Sequence, residues 1–320
     1  MICLHHTDPD GWCSAAIVKK FHEDDDNVRF HGITYGWPLP IDKIELNERV
    51  YIVDYSLKAE EWKALLERTS DVYWFDHHKT AIEDPAFPHH LPGVRIDGVA
   101  ACELIWEYFY PGIAPPRSVV LTADWDIWQF DHDPETTMFF HGICNTEDGN
   151  KPDSAVWNIL LHEDSNYVSS NTINDICQVG DVLHKYQDRK NKELVKYKSN
   201  IIWFEGVRVC VVNSTVYGSP LFKSIDPSTY DGLSVYSWHG KFWKISFYTT
   251  HDDVDMSKIA VMYGGGGHRA ACGCELKRLP FDFSNTVQYG EDGNAIIPSA
   301  TIGSRIRRWA MHRWCRGRLW

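Results

Sequence analysis

Residues 71–78 read DVYWFDHH, a β-favouring apolar run that halts on an aspartate and two histidines. Two other stretches have the same form. ICLH at 2–5 runs into the loop HTDPDG, and RVYIVDYS at 49–56 breaks at Asp54. Short apolar runs bounded by turn residues read as buried strands. Between and after them lie helical patterns. SAAIVKKF reads as a helix with Ser14 as its cap, and VRFHGITY as a further strand. KAEEWKALLER puts Trp62, Leu65 and Leu66 on one side, and both VAACELIWEYF and SVVLTADWDIW have helical periodicity. Strands alternating with helices predict an α/β fold, a parallel sheet with helices on both faces. Such sheets hold ligands beyond the carboxyl ends of their strands. HTDPDG, Asp54 and Asp76-His77-His78 all fall at such ends, so residues remote in sequence are expected to meet in one crevice.

The pattern changes in the second half. Residues 151–200 read as a helical connector ending in the charged run HKYQDRKNKELVKYK. IIWFEGVRVCVVNS then reads as a hairpin turning at Glu205 and Gly206, and LSVYSWHGKFWKISFYTT as another turning at His239 and Gly240. A helical piece, DVDMSKIAVM, leads into GGGGHRAACG. The expected organisation is a catalytic parallel-sheet domain over 1–150, the connector over 151–200, a smaller mixed-sheet α/β domain over 201–285, and a basic Trp-rich tail over 286–320.

Composition narrows the function. The chain has 320 residues and a formal net charge of -12. Its overall field repels phosphate, which argues against stable binding of duplex DNA. A small phosphate substrate remains compatible if metal ions supply local positive charge. The 14 tryptophans read mainly as core. Nine cysteines without a C-x-x-C pair point to reduced thiols and a cytoplasmic protein. The start, MICLHHTDPD, has no basic leader followed by an apolar run, and no stretch reaches membrane-spanning length.

His6, Asp8 and Asp10 alternate along one loop, with Asp54, His77 and Asp126 downstream. Carboxylate oxygens and imidazole nitrogens suit Mn²⁺ best, with Mg²⁺, Fe²⁺ or Zn²⁺ as alternatives. A carboxylate between two ions can bridge them, and an ion pair can activate water and neutralise a phosphoryl transition state. An isolated D-x-D loop is usually a turn or a helix cap, and an Asp at a strand end is more often a cap or turn residue than a ligand. The ordered convergence of these motifs on strand ends argues against that reading.

HTDPDG, VDYS, FDHH and ADWDIW, in that order, resemble the motif series of the DHH phosphoesterase superfamily. GGGGHRAACG, preceded by DVDMSKIA, resembles the signature of the DHHA1 domain found in many members. The resemblance covers about residues 1 to 280. It implies that His6 and Asp8 hold one metal, that Asp10 and His77 hold the other, and that Asp54 bridges the two. It implies that Asp76 fixes the histidine and that His78 faces the scissile phosphate, which makes His78, Asp76 and Asp54 the catalytic set. For the fourth motif both Asp124 and Asp126 are candidates; Asp126 is preferred because D-I-W is similar to the D-x-W form of nano-RNase-like members.

Glycines let backbone N–H groups approach a phosphate, and a helix starting after them would add positive potential. Gly265, Gly266, Gly267, His268 and Arg269 are therefore candidate substrate-binding residues, with tight packing or a flexible loop as the plain alternative for the glycines. The resemblance implies a two-metal phosphodiesterase that releases nucleoside monophosphates from short 5′-phosphorylated oligonucleotides in an interdomain cleft, closest to the oligoribonuclease NrnB-like branch. A cyclic mono- or dinucleotide phosphodiesterase and a 3′-phosphoadenosine 5′-phosphate phosphatase share that chemistry. Family II pyrophosphatases share only the first half, and a long-strand RecJ-like exonuclease would carry more sequence. A non-catalytic nucleotide sensor would be expected to lose metal ligands, which this chain retains. The connector helix is a candidate dimerisation element. The tail RIRRWAMHRWCRGRLW suits either single-strand contact or docking of an amphipathic helix.

Overall fold

The computed structural model describes residues 1–289, 295 and 296, apart from 26, 36, 163–165, 216, 217 and 268. The chain forms two compact units that divide between Lys185 and Tyr186. The basic Arg/Trp tail from Arg305 and His268 of the glycine loop lie outside the described residues.

The first unit is built on four parallel strands: β1 (Ile2–His6), β2 (Arg29–Ile33), β3 (Val50–Val53) and β4 (Val72–Phe75). Their order is β2-β1-β3-β4, so the chain reverses direction across the sheet between β1 and β3. Side chains alternate across the pleat. Ile2, Leu4, Ile52 and Trp74 face one layer, which holds Trp62 and Leu65 of α2 (Ala59–Arg68) and Ala81 of α3 (Lys79–Ile82). Cys3, Tyr51, Val53 and Phe75 face the other. That layer contains α1 (Pro9–Phe21), α4 (Ala101–Phe109), α5 (Arg117–Asp126), α6 (Glu135–Ile143) and α7 (Ala155–Leu161). Trp74, Phe75, Phe139 and Trp157 are fully buried, each contributing ~1.5–3 kcal/mol of transfer free energy. Helices therefore cover both faces of the sheet.

The 33-residue helix α8 (Asn166–Lys198) follows. Within the first unit it crosses α6 where both helices carry glycine. A Cβ on Gly142 would stand 2.1 Å from the Ile176 carbonyl oxygen, and one on Gly180 would stand 1.7 Å from that of Met138.

The second unit carries a mixed sheet of β5 (Ser199–Phe204), β6 (Val207–Asn213), β7 (Gly232–Trp238), β8 (Trp243–Tyr248), β9 (Gly266–Gly267) and β10 (Ala271–Leu276). Their order is β5-β6-β7-β8-β10-β9, with only β6 and β7 parallel. Both expected hairpins form. Glu205 and Gly206 both take positive φ, 48° and 85°, as a primed two-residue turn requires. The short helix α9 (Ser257–Met262) packs Ile259 and Ala260 against one face of the sheet.

The structure corrects two local expectations. Ser14 is buried inside α1 and does not cap it. The helix begins one turn earlier, where Asp8 accepts from the Gly11 N–H at 3.0 Å and Pro9 occupies the first turn, a position that needs no amide hydrogen. The glycine run is not followed by a helix either. Gly266 and Gly267 pair antiparallel with Gly273 and Cys272, so no helix N-terminus adds its potential there.

Candidate metal centre

The carboxyl ends of β1, β3 and β4 lie at the point where the strand order reverses, the usual position of a ligand site in such sheets. His6 ends β1, Asp8 caps α1, and Asp10 lies in the first turn of that helix. Gly11 lets this turn fit, since a Cβ there would stand 2.3 Å from the His6 carbonyl oxygen. Asp54 follows β3 with φ +55°, a left-handed conformation that aspartate tolerates better than most residues. His77 lies two residues beyond β4.

These side chains converge. His6 Nδ1 lies 2.5 Å from Asp8 Oδ2 and 3.5 Å from Asp54 Oδ2. His77 Nε2 lies 3.3 Å from Asp54 Oδ1, 3.3 Å from Asp126 Oδ2 and 3.9 Å from Asp10 Oδ2. The ligand atoms fall into the groups His6–Asp8–Asp54, Asp10–His77–Asp126 and Asp54–His77–His78. Asp54 belongs to two of these, with Oδ2 toward His6 and Oδ1 toward His77. All six candidate metal residues from the sequence are brought together.

The donor set fits divalent cations on an observation independent of residue type. His6 Nδ1, Asp54 Oδ2 and Asp126 Oδ2 are buried without a hydrogen-bond partner, although charged groups stand close by. Buried polar atoms ordinarily have partners, and two cations, one among His6, Asp8 and Asp54 and one among Asp10, His77 and Asp126, would satisfy these three. Electrostatics point the same way. Burial, then the charges of Asp10 and Asp8, push the Asp54 carboxyl well above its ordinary range. Burial and Asp10 push Asp126 up to about 7. Such a set stays ionised together only against compensating positive charge.

Asp124 is placed elsewhere. It is buried and accepts from the Asp131 and His132 N–H groups at 2.9 and 3.1 Å, and from the Thr136 hydroxyl. It holds the turn after α5, and Asp126, not Asp124, reaches the cluster. His5 is buried in β1 and bonds the His6 carbonyl.

Asp76 differs from expectation in its ring partner. Its Oδ1 accepts from the backbone N–H groups of His77 and His78 at 2.8 and 3.2 Å and from His78 Nδ1 at 2.6 Å. The ring it orients is that of His78, while His77 is held through the backbone alone. Ser56, which the sequence reading passed over, donates its hydroxyl to Asp76 Oδ2. Its signal was available in VDYS, two residues after Asp54. Tyr35 and Tyr55, also passed over, stand beside His6.

The glycine loop belongs to the second unit. A Cβ on Gly265 would stand 2.0 Å from the Gly273 carbonyl oxygen, and one on Gly267, at φ +128°, would stand 2.7 Å from the Cys272 Cα. Close strand packing therefore accounts for those two glycines, whereas Gly266 faces open space. Arg269 donates to the carbonyls of His251, Asp252 and Val254 at 2.8–3.0 Å, tying down the segment before α9.

No family model matches the chain. It is 28% identical over 259 residues to the uncharacterized protein R106 of Acanthamoeba polyphaga mimivirus, a match covering 76% of this chain and 57% of that protein. It is 23% identical over 292 residues to oligoribonuclease NrnB of Bacillus subtilis (strain 168), covering 85% of this chain and 71% of that one. Among solved structures, the DHH domain of a member of the s1p family of ribosomal proteins superposes with a TM-score of 0.53 at 12% identity, covering 86% of this chain and 82% of that chain. This chain shares the fold of that DHH domain. RecJ of Thermus thermophilus in complex with Mn²⁺, at a TM-score of 0.51 and 13% identity, has the same fold over 86% of this chain and 49% of its own. Among the described residues, no helix is long and apolar enough to cross a membrane.

Proposed function

We propose that this chain is a divalent-metal-dependent phosphodiesterase that cleaves short 5′-phosphorylated oligonucleotides to nucleoside monophosphates. The observation that carries the proposal is Asp54, buried between His6 and His77 with one oxygen toward each. A carboxylate so placed suits a bridge between two cations, His6 and Asp8 completing one set and Asp10, His77 and Asp126 the other. Mn²⁺, or Mg²⁺ in its place, would bind phosphate oxygens, lower the pKa of a water and offset charge in the transition state. His78, with Nδ1 committed to Asp76, keeps Nε2 for a phosphate or leaving-group oxygen. The open Gly266 edge, with His268 and Arg269, is our candidate for a phosphate contact within the second unit. The likeness to a protein named oligoribonuclease NrnB favours short oligonucleotides over pyrophosphate.

The test is a product assay with Mn²⁺ on a 5′-phosphorylated dinucleotide, a twenty-mer RNA, cyclic mono- and dinucleotides, 3′-phosphoadenosine 5′-phosphate and pyrophosphate. Fastest turnover of the dinucleotide, lost in Asp54→Asn, supports the reading. Turnover of only a cyclic nucleotide or of the bisphosphate keeps the chemistry and replaces the substrate. Binding without turnover makes the protein a nucleotide sensor.

A further inference from the structure

Tyr35 follows β2 and stands at the rim of the metal cluster. Its ring is stacked on Tyr55, with centroids 4.4 Å apart and planes inclined by 21°. The ring centroids of His6 and His78 are 5.7 and 6.0 Å away. Tyr55 beneath it is 4% exposed, yet Tyr35 itself is 49% exposed. Burial, then the Asp76 charge, hold the Tyr35 phenol above its ordinary pKa. With one face of this half-exposed ring on Tyr55, the opposite face remains for a ligand. Two residues on, Trp37 is 74% exposed and shares a pocket with Tyr55.

We propose that the open face of Tyr35 is a stacking platform for a nucleobase of the substrate, beside the phosphate held at the metal cluster and His78. The proposal rests on the phosphodiesterase reading above and adds to it how the base is held. A sugar separates each base from its phosphate, so a base belonging to a phosphate at His78 falls about one ring away, where Tyr35 stands. The platform is supported before binding, because its other face is stacked on the buried ring of Tyr55. A preorganised ring loses little conformational entropy on contact. Stacking uses the π-face that every base has, so it tolerates sequence. The site would hold purines somewhat better than pyrimidines and reject none.

The experiment compares steady-state kinetics on a 5′-phosphorylated dinucleotide and on its two counterparts lacking one base each. Wild type should show a KM about tenfold higher for one of the abasic compounds, in line with the energy of one base–aromatic stack. Tyr35→Ala should raise KM for the intact dinucleotide by a similar factor and no longer distinguish that abasic compound. Tyr35→Phe should restore the distinction. Mn²⁺ stoichiometry measured on Tyr35→Ala checks that the cluster is intact. Turnover of the intact dinucleotide with no base discrimination by wild type, or equal losses in Tyr35→Ala on all three compounds, overturns the platform and leaves the phosphodiesterase standing. No turnover of any of them by wild type removes both.

Discussion

His77 Nε2 lies 3.3 Å from one oxygen of Asp54, whose other oxygen is 3.5 Å from His6 Nδ1. Replacing one of those oxygens by an amide separates bridging from shape. Asparagine also tolerates the φ of +55° at this position, so the backbone should hold. Asp54→Asn is expected to fold normally, to bind fewer Mn²⁺ ions per chain, and to lose activity by about a hundredfold or more. Calorimetric metal titration beside the product assay checks this, and activity within tenfold of wild type would sink the bridge.

The same cluster sets a pH dependence in the metal-free protein. Asp54 and Asp126 have raised carboxyl pKa values, Asp126 at about 7. A carboxyl whose pKa is higher folded than unfolded binds more protons in the folded state. Its contribution is full below the ordinary carboxylate range, near 4, and is lost as pH rises toward 7. In chelator, Tm should fall between pH 5 and 7.5, and added Mn²⁺ should restore it most at the upper end. Thermal melts across that range decide the matter; a metal-free Tm that climbs would contradict it.

Ser56 acts through Asp76 on His78. Ser56→Ala should reduce kcat by about tenfold to a hundredfold with Mn²⁺ stoichiometry unchanged, as for other groups that orient site residues from behind. Ser56→Thr retains the hydroxyl and should recover most of the rate. A Ser56→Ala loss that appears in KM alone would count against an orienting role.

Gly11→Ala tests the turn from β1 into α1. The added Cβ would stand 2.3 Å from backbone, so the helix start must move. A loss of about 1–3 kcal/mol in urea unfolding is expected, with weakened Mn²⁺ binding. Unchanged stability would mean that the turn relaxes freely.

The sheet and its ligand end were legible because each of β1, β3 and β4 is an apolar run ending on a metal-binding type of residue. The start of α1 was legible too, in the Asp8-Pro9 pair, but Ser14 at the head of the apolar stretch drew attention away from it. The glycine run was harder. Four glycines fit a phosphate cradle before a helix or a tight strand pair, and only the strand partners Cys272 and Gly273 distinguish these. Helix α6 was missed because ETTMFFHGI is rich in β-branched and aromatic residues; packing against α5, and the close crossing with α8, stabilise it. Tyr35 and Ser56 acquire their positions from neighbours on other strands, which no local pattern records.

Asp10 stands apart among the acidic residues of the cluster. Both of its oxygens already accept backbone N–H groups, those of Ala101 and Cys102 at 2.9 and 2.8 Å, at the start of α4. An amide or methyl there would disturb the metal cluster and loosen a helix in one stroke. An inert form meant to trap a bound oligonucleotide is therefore better made at Asp126, on the last turn of α5, where no helix start depends on the side chain that is lost.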